Sequence, residues 1–312
     1  MVATAAMAIT AMAMPVSLMT STMPVVVTRL AALLVCLVLA YCGWLAVHRG
    51  LADAVAEQAR TEMRGWDEAA LDAVSVHNAL DLMLRANELD PGHPTYLHRL
   101  GRLSHLLMGL ELAQRDEWAG RAKGYYRESL IARPAWPITW ANLALVKADQ
   151  LEFDAEMDLA LANAMRLGPW EPGVLVMMAN MATTRGQFLT SDIRAMLGAN
   201  VARGLISPVR GVTAHVLGML EGAELNTETL SALEKLLATN DWNRNPDQLM
   251  QVALTYYNRW QPENLPLIRE RLLSEIISRP HTVRFLSEKK RLLQLCPYLP
   301  RKPKFRNACH RS

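Results

Sequence analysis

The chain has 312 residues, 51% of them hydrophobic and 20% charged, with a formal net charge of +3. That balance is ordinary for a globular protein carrying one added apolar segment, and so small a charge excludes nucleic-acid binding driven by bulk positive potential. Ala and Leu are abundant and β-branched residues sparse, so helix propensity dominates and an all-α fold is expected.

Residues 1–23 hold six Met, many Ala and Thr, and no charge. Nothing in that composition drives packing, and the segment reads as a disordered or untranslated leader with Met23 as the alternative start. Leu30 to Val47 then runs for 18 residues without a charge, bounded by Arg29 and by His48 and Arg49. A bilayer core needs about 20 predominantly apolar residues, so residues 30–47 can span it. Tyr41 and Trp44 fall near the downstream interface, where aromatics are favoured. A cleavable signal peptide competes, with Ala54-Val55-Ala56 as its A-x-A site, but the apolar run exceeds the usual 7–15 residues. A lipoprotein signal is disfavoured because bulky Tyr41 precedes Cys42. Lys and Arg are more frequent after the span (Arg49, Arg60, Arg64) than before it, so charge alone leaves the orientation ambiguous and leans slightly against export.

Beyond the span the chain repeats itself. "LDPGHPTYLHRLGRL", "ARPAWPITWANLALV" and "LGPWEPGVLVMMANM" each contain Pro-x-x-Pro: Pro91 and Pro94, Pro134 and Pro137, Pro169 and Pro172. After each second proline comes an apolar pair three apart and then a small residue: Leu97, Leu100 and Gly101; Trp140, Leu143 and Ala144; Leu175, Met178 and Ala179. The first proline cannot continue the preceding helix. The second fits the first turn of the next helix, where an N–H would lack a partner anyway. The small residue lets a neighbouring helix approach. Upstream, Ala79, Met83, Ala86 and Leu89, then Ala122, Tyr126, Ser129 and Leu130, then Leu161, Ala164 and Leu167 recur at helical spacing on one face.

Together these features resemble the tetratricopeptide repeat (TPR), a helix–turn–helix unit of about 34 residues with a W-x2-L-G start, an A-x3-F core and a closing proline. The resemblance implies a right-handed α-solenoid of helical hairpins behind an N-terminal transmembrane helix. The second spacing, 35 residues from Pro137 to Pro172, matches; the first, 43 from Pro94 to Pro137, carries an insertion placed at 109–118. Downstream the pattern fades into degenerate hairpins, with helices expected over 189–204, 208–221, 226–239, 246–259 and 262–278, Asn226 or Thr227 as a cap, and a linker over 241–248. The chain thus divides into a leader (1–23), an anchor (24–50), TPR-like repeats (51–188), a helical extension (189–288) and a basic tail (289–312).

No nucleophile motif, phosphate-binding glycine loop or metal-ligand spacing is present, so no catalytic, cofactor-binding or metal-binding residue is assigned. Glu171 fits the first turn of a helix better than a general acid. By the TPR resemblance, partner-binding groove positions fall on the first helix of each unit, which gives His98, Arg102, His105, Asn180 and Thr183; the alternative for the His98–His105 set is a solvated helical face. Trp136, Trp140 and Trp170 either pack between repeats or stack on sugar rings. The tail from Lys289 to Ser312 has eight Lys or Arg and no Asp or Glu. It is either a solvated tail or a contact for anionic lipid or an acidic polymer. Cys36 and Cys42 lie within the span; Cys296 and Cys309 are either plain thiols or a disulfide, which would need an oxidising compartment.

The runs Pro134-Ala-Trp-Pro137, Trp140-Ala-Asn-Leu-Ala144 and Leu167-Gly-Pro-Trp-Glu-Pro172 resemble the VpsP-type single-span TPR proteins encoded in exopolysaccharide gene clusters. They are similar also to the periplasmic tail of some O-antigen ligase-like proteins. This resemblance covers the anchor and residues 77 to about 185. It implies an inner-membrane accessory of polysaccharide assembly or export, with a periplasmic helical domain that holds a protein partner from that machinery. Direct glycan binding through tryptophans, and an unrecognised enzyme of polysaccharide assembly, are the competing readings.

Overall fold

The structure, a computed structural model, describes residues 25–66, 71–209, 211–239, 245–278 and 293–299. Among these it is entirely helical, with twelve α-helices and no strand. The leader, Cys309 and most of the basic tail lie outside the described residues, as do 241–244 of the expected linker.

The chain divides into two units at Gly50, inside helix α1 (Val25–Arg64). In the first unit the helix is long and apolar enough to cross a membrane: its apolar window has a mean hydropathy of 2.5, and none of that window is buried. Leu33, Leu34, Leu37, Leu39 and Trp44 all stand exposed. In the second unit the same helix changes character. Ala52, Ala56 and Ala59 form a stripe at intervals of four and three, each fully buried, while charged residues occupy the other faces.

The remaining helices of that second unit are α2 (Ala73–Leu89), α3 (Pro94–Leu110), α4 (Arg115–Ala132), α5 (Pro137–Asp149), α6 (Ala155–Leu167), α7 (Pro172–Thr184), α8 (Ser191–Leu205), α9 (Val212–Leu220), α10 (Thr227–Thr239), α11 (Pro246–Thr255) and α12 (Leu265–Ser278). Proline placement explains the boundaries of the first three pairs. Helices α2, α4 and α6 each end two residues before the first proline of a pair. The intervening residues Asp90, Arg133 and Gly168 leave the helical region, with φ of −134°, −143° and −129°, as the residue ahead of a proline must. Each second proline then sits in the first turn of α3, α5 or α7, where its missing N–H costs nothing. Helices α2, α6 and α10, which lack this device, start on side-chain caps: Asp72 accepts from the Ser75 N–H, Asp154 from Met157 and Asn226 from Thr229.

The 43-residue spacing has a different origin from the one expected. Helices α3 and α4 have 17 and 18 residues, against 13 each in α5 and α6. The extra length is therefore about one more turn on both helices, and residues 109–118 contribute the end of α3, a short 3-10 turn (Leu112–Gln114) and the start of α4. No inserted loop is needed, because two facing helices lengthened together keep their mutual packing. The downstream helices fall where expected with later starts: α9 begins at Val212 and α12 at Leu265. Residues 257–259 form a separate 3-10 turn after α11. Pro246 opens α11, where the helix over 246–259 was expected to begin, so the expected linker over 241–248 stops short of it.

Packing follows a simple rule. From α2 to α9 each helix lies against the next, and several also touch the helix two places on: α3 with α5, α5 with α7, α7 with α9 and α9 with α11, and likewise α6 with α8, α8 with α10 and α10 with α12. The repeat-signature residues supply the contacts. Leu97, Leu100, Gly101, Ala122, Tyr126, Leu143, Ala144, Leu175, Met178 and Ala179 are all buried. The Ser129 hydroxyl donates to the Pro94 carbonyl, closing the α3–α4 pair at its open end. Glu111 accepts from the Trp118 indole and lies 2.8 Å from His77 Nε2, which ties α2 to the start of α4. Trp140 is half-buried, and its indole N–H donates to the Pro134 carbonyl.

Gly101 is where helix approach is tightest. A Cβ there would stand 2.6 Å from the buried Tyr126 ring. Gly120, on the exposed face of α4, would have nothing within 4 Å. The same substitution should act oppositely at the two sites. Gly101→Ala is expected to destabilise by about 1–2 kcal/mol even after its gain in helix propensity. Gly120→Ala should stabilise by about 0.5–1 kcal/mol. Denaturant titrations followed by circular dichroism would separate them; equal shifts would mean that α3 and α4 do not meet at Gly101.

Candidate functional site

A cavity of about 400 Å³ lies in the second unit between the last turns of α1 and the stretch of α3 from Thr95 to Leu106. Arg60, Met63 and Arg64 come from α1 and Trp66 from just beyond it; Thr95, His98, Arg99, Arg102, Leu103 and Leu106 come from α3; Trp136 comes from the turn ahead of α5. Helical spacing explains the set: Arg60 and Arg64 are four apart, and Arg99 and Arg102 three apart, so each pair shares a face.

Among the described residues, positive charge in the cavity is poorly compensated. Arg60 and Arg64 both bind Glu57, each at 2.9 Å. Arg99 and Arg102 make no hydrogen bond or ion pair among the described residues, and Arg99 Nη1 and Arg60 Nε are buried without a partner. Burial, and then the neighbouring Arg60, pull the Arg99 pKa down to about 10, with Glu57 opposing and Arg102 and Arg64 adding to the fall. His98 is buried with Nδ1 2.9 Å from Thr139 Oγ1. Its ring lies against Trp136, with centroids 4.6 Å apart. Burial first, then Arg102 and Arg99, hold its pKa down at about 4, so the imidazole is neutral at physiological pH. Arg133 covers Trp136 at 4.6 Å. Such an arrangement can bind and orient an anion.

Of the five groove positions expected from the repeat, the cavity brings together only His98 and Arg102. His105 lies outside it, with Nε2 2.9 Å from Asp149 Oδ2, bracing α3 against α5. Asn180 is exposed, and the Thr183 hydroxyl turns back on its own helix, donating to the Ala179 and Asn180 carbonyls. His98 is also not on a solvated face, because Trp136 and Tyr126 enclose it. Of the tryptophans, Trp136 lines the cavity and Trp170 is half-exposed on the α6–α7 turn. Glu171 stands as the residue capping α7, with no side-chain hydrogen bond into the helix. Arg60, Arg64, Arg99 and Trp66 were missed by repeat matching, which reads the apolar face; the signal for them was two arginine pairs at helical spacing.

A second polar centre lies where α5 meets α6. Lys147, 2% exposed, donates to Glu152, Asp154 and Glu156. Lys123 and Arg127 from α4 complete the knot on Glu152 and Glu156. Burial alone would lower the Lys147 pKa, but its hydrogen bonds to Asp154, Glu156 and Glu152 outweigh it and raise the value. The Arg127 hydrogen bond, with help from Lys147, brings Glu156 down from 4.5 to about 2. Three cations meet three carboxylates, so this centre is satisfied and structural. Among the described residues no group of three or more His, Cys, Asp or Glu is placed to hold a metal ion.

No protein-family model matches the chain, and no curated protein matches it.

The knot has a pH signature. The folded state holds the Glu156 carboxylate more tightly deprotonated than the unfolded chain does, so its contribution is complete above pH 4.5 and is lost as pH falls towards about 2. Melting temperature should drop through that window. Arg127→Gln, which removes the largest cause of the shift, should flatten the drop. Lys147→Met should cost about 2 kcal/mol at neutral pH, because the carboxylates left behind are partly solvated and keep two other cations. An unchanged acid profile in Arg127→Gln would show that the ion pairs do not set it.

Proposed function

We propose that this protein is a membrane-anchored helical scaffold of the TPR-like α-solenoid type. The anchor holds the stack at the inner membrane of a bacterium, in the periplasm, and the row of odd-numbered helices holds a protein of the polysaccharide assembly or export machinery. The observation that carries the reading is the skip-one packing of α3 with α5, α7, α9 and α11 in turn, and of α6 with α8, α10 and α12. Stacked repeats contact only their neighbours and so generate extended binding surfaces. The first helices of the units make up the odd row, which is the row a TPR-like groove uses. The apolar helix near the N-terminus supports the anchor. Cys296 is disulfide-bonded, which fits an oxidising compartment. The polysaccharide context comes from the resemblance of the Pro-x-x-Pro runs to VpsP-type proteins.

Two measurements test this. A reporter active only in the periplasm, fused after Ser312, should be active; an inactive fusion would overturn the exported placement. A photo-crosslinking amino acid at Asn180, on the odd row, should give an adduct with a polysaccharide-assembly protein, whereas the same group at exposed Arg166 on α6 should not. Equal adducts from both rows would sink the groove assignment. Direct glycan binding through Trp140 is the weaker reading, because its N–H is already engaged and its ring is half-covered.

A further inference from the structure

We propose that the cavity between α1 and α3 is a binding site for a sugar-sized ring carrying an oxyanion, a carboxylate or a phosphate, held by Arg99 and Arg102 against the walls formed by Trp66 and Trp136. The cavity would bind this ligand whether or not the helical rows hold a protein.

The charge comes first. Four guanidinium groups line one concavity of about 400 Å³, and among the described residues Glu57, which binds Arg60 and Arg64, is the carboxylate paired with any of them. Arg99 and Arg102 have no partner among the described residues, and Arg99 Nη1 is shut away from solvent with its hydrogen unsatisfied. A buried donor without an acceptor is costly, and a cluster of like charges adds to that cost. An oxyanion resolves both, because the planar guanidinium fork matches carboxylate and phosphate oxygens in paired hydrogen bonds. Neutral His98 beside the arginines adds no further charge; its Nδ1 is engaged with Thr139, and it serves to hold Trp136.

The size and the walls then narrow the ligand. A volume of about 400 Å³ lies at the small end of ligand pockets and suits one compact ring. Met63, Leu103 and Leu106 with the two indoles make an apolar lining of the kind that takes the C–H face of a sugar. An extended acidic peptide would need recognition along several helices. Asn180 and Thr183, the candidates for that on α7, lie outside the cavity, and Thr183 spends its hydroxyl on its own backbone. The compact anion is therefore favoured over the peptide.

Isothermal titration calorimetry on the full chain in nanodiscs, at low ionic strength, would test the assignment. The probes are glucuronate, glucose 1-phosphate, inorganic phosphate, glucose and an acidic hexapeptide. At least one of the two charged sugars should bind at least tenfold more tightly than glucose, and weaken as salt screens the charge. Binding of one charged sugar alone supports the site and identifies its oxyanion. Arg102→Gln, at an exposed position that threatens no packing, should weaken the charged sugar about tenfold, as should Arg99→Gln. Arg203→Gln, on α8, should leave it unchanged. Glucose binding as well as the charged sugars, no binding of either charged sugar, or an unaffected Arg102→Gln overturns the site. Inorganic phosphate binding as tightly as glucose 1-phosphate overturns the ring. Binding of the hexapeptide alone overturns the ligand class.

Discussion

Helices of 9 to 18 residues are marginal in water on their own, so each of α2 to α12 depends on the apolar face it hides against its neighbours. The chain meets that requirement by bringing each helix from α2 to α9 against the next, and many of the helices also against the one after. Alanine, glycine and leucine sit at the crossings because backbones must come close: the Tyr126 ring fills the space a side chain at Gly101 would take, and Ala144 and Ala179 are fully buried at the equivalent positions. The paired prolines belong to the same requirement. They stop one helix and start the next within four residues, so that successive helices turn back and meet instead of running on.

Polar groups are arranged around this apolar frame at the joints between helices. The Lys147 knot fastens α4, α5 and the turn into α6, and it does so with matched charge. His105 and Asp149 join α3 to α5, and Arg115 donates to the Asp149 backbone. Against these satisfied joints the α1–α3 cavity stands apart. There, among the described residues, Arg99 and Arg102 have no carboxylate partner, and Arg99 Nη1 is buried without an acceptor. That contrast with the matched charges around Lys147 is the ground for proposing an anion site at the cavity.

Much of the helical frame was legible in the sequence. The Pro-x-x-Pro spacing located the starts of α3, α5 and α7, since proline acts through local backbone geometry and needs no tertiary information. The apolar spacing upstream identified the buried faces of α2, α4 and α6 for the same reason. What was not legible is instructive. The long spacing between the first two repeats was read as an insertion because sequence length does not say whether residues lengthen a helix or a loop. Residues 246–248 were given both to the linker over 241–248 and to the helix over 246–259, and the N-terminal logic that explained Pro94 decides for the helix, which begins at Pro246. The cavity arginines went unread because Arg60, Arg64, Arg99 and Arg102 lie on two helices separated in sequence, and only packing brings them together. His98 looked solvent-facing by pattern, and Trp136, from the next unit, covers it.

The neighbour-only packing of α2 to α12 bears on how the chain is made. Almost every stabilising contact joins segments close in sequence, so contact order is low and little loop-closure entropy precedes the first rewarding contacts. A polypeptide emerging from a ribosome or a translocation channel with its amino end leading could complete α2 with α3, then α4, then α5, without waiting for its carboxyl end. Vectorial assembly of that sort would shorten the time for which the alanine- and leucine-rich faces stay uncovered beside a lipid surface.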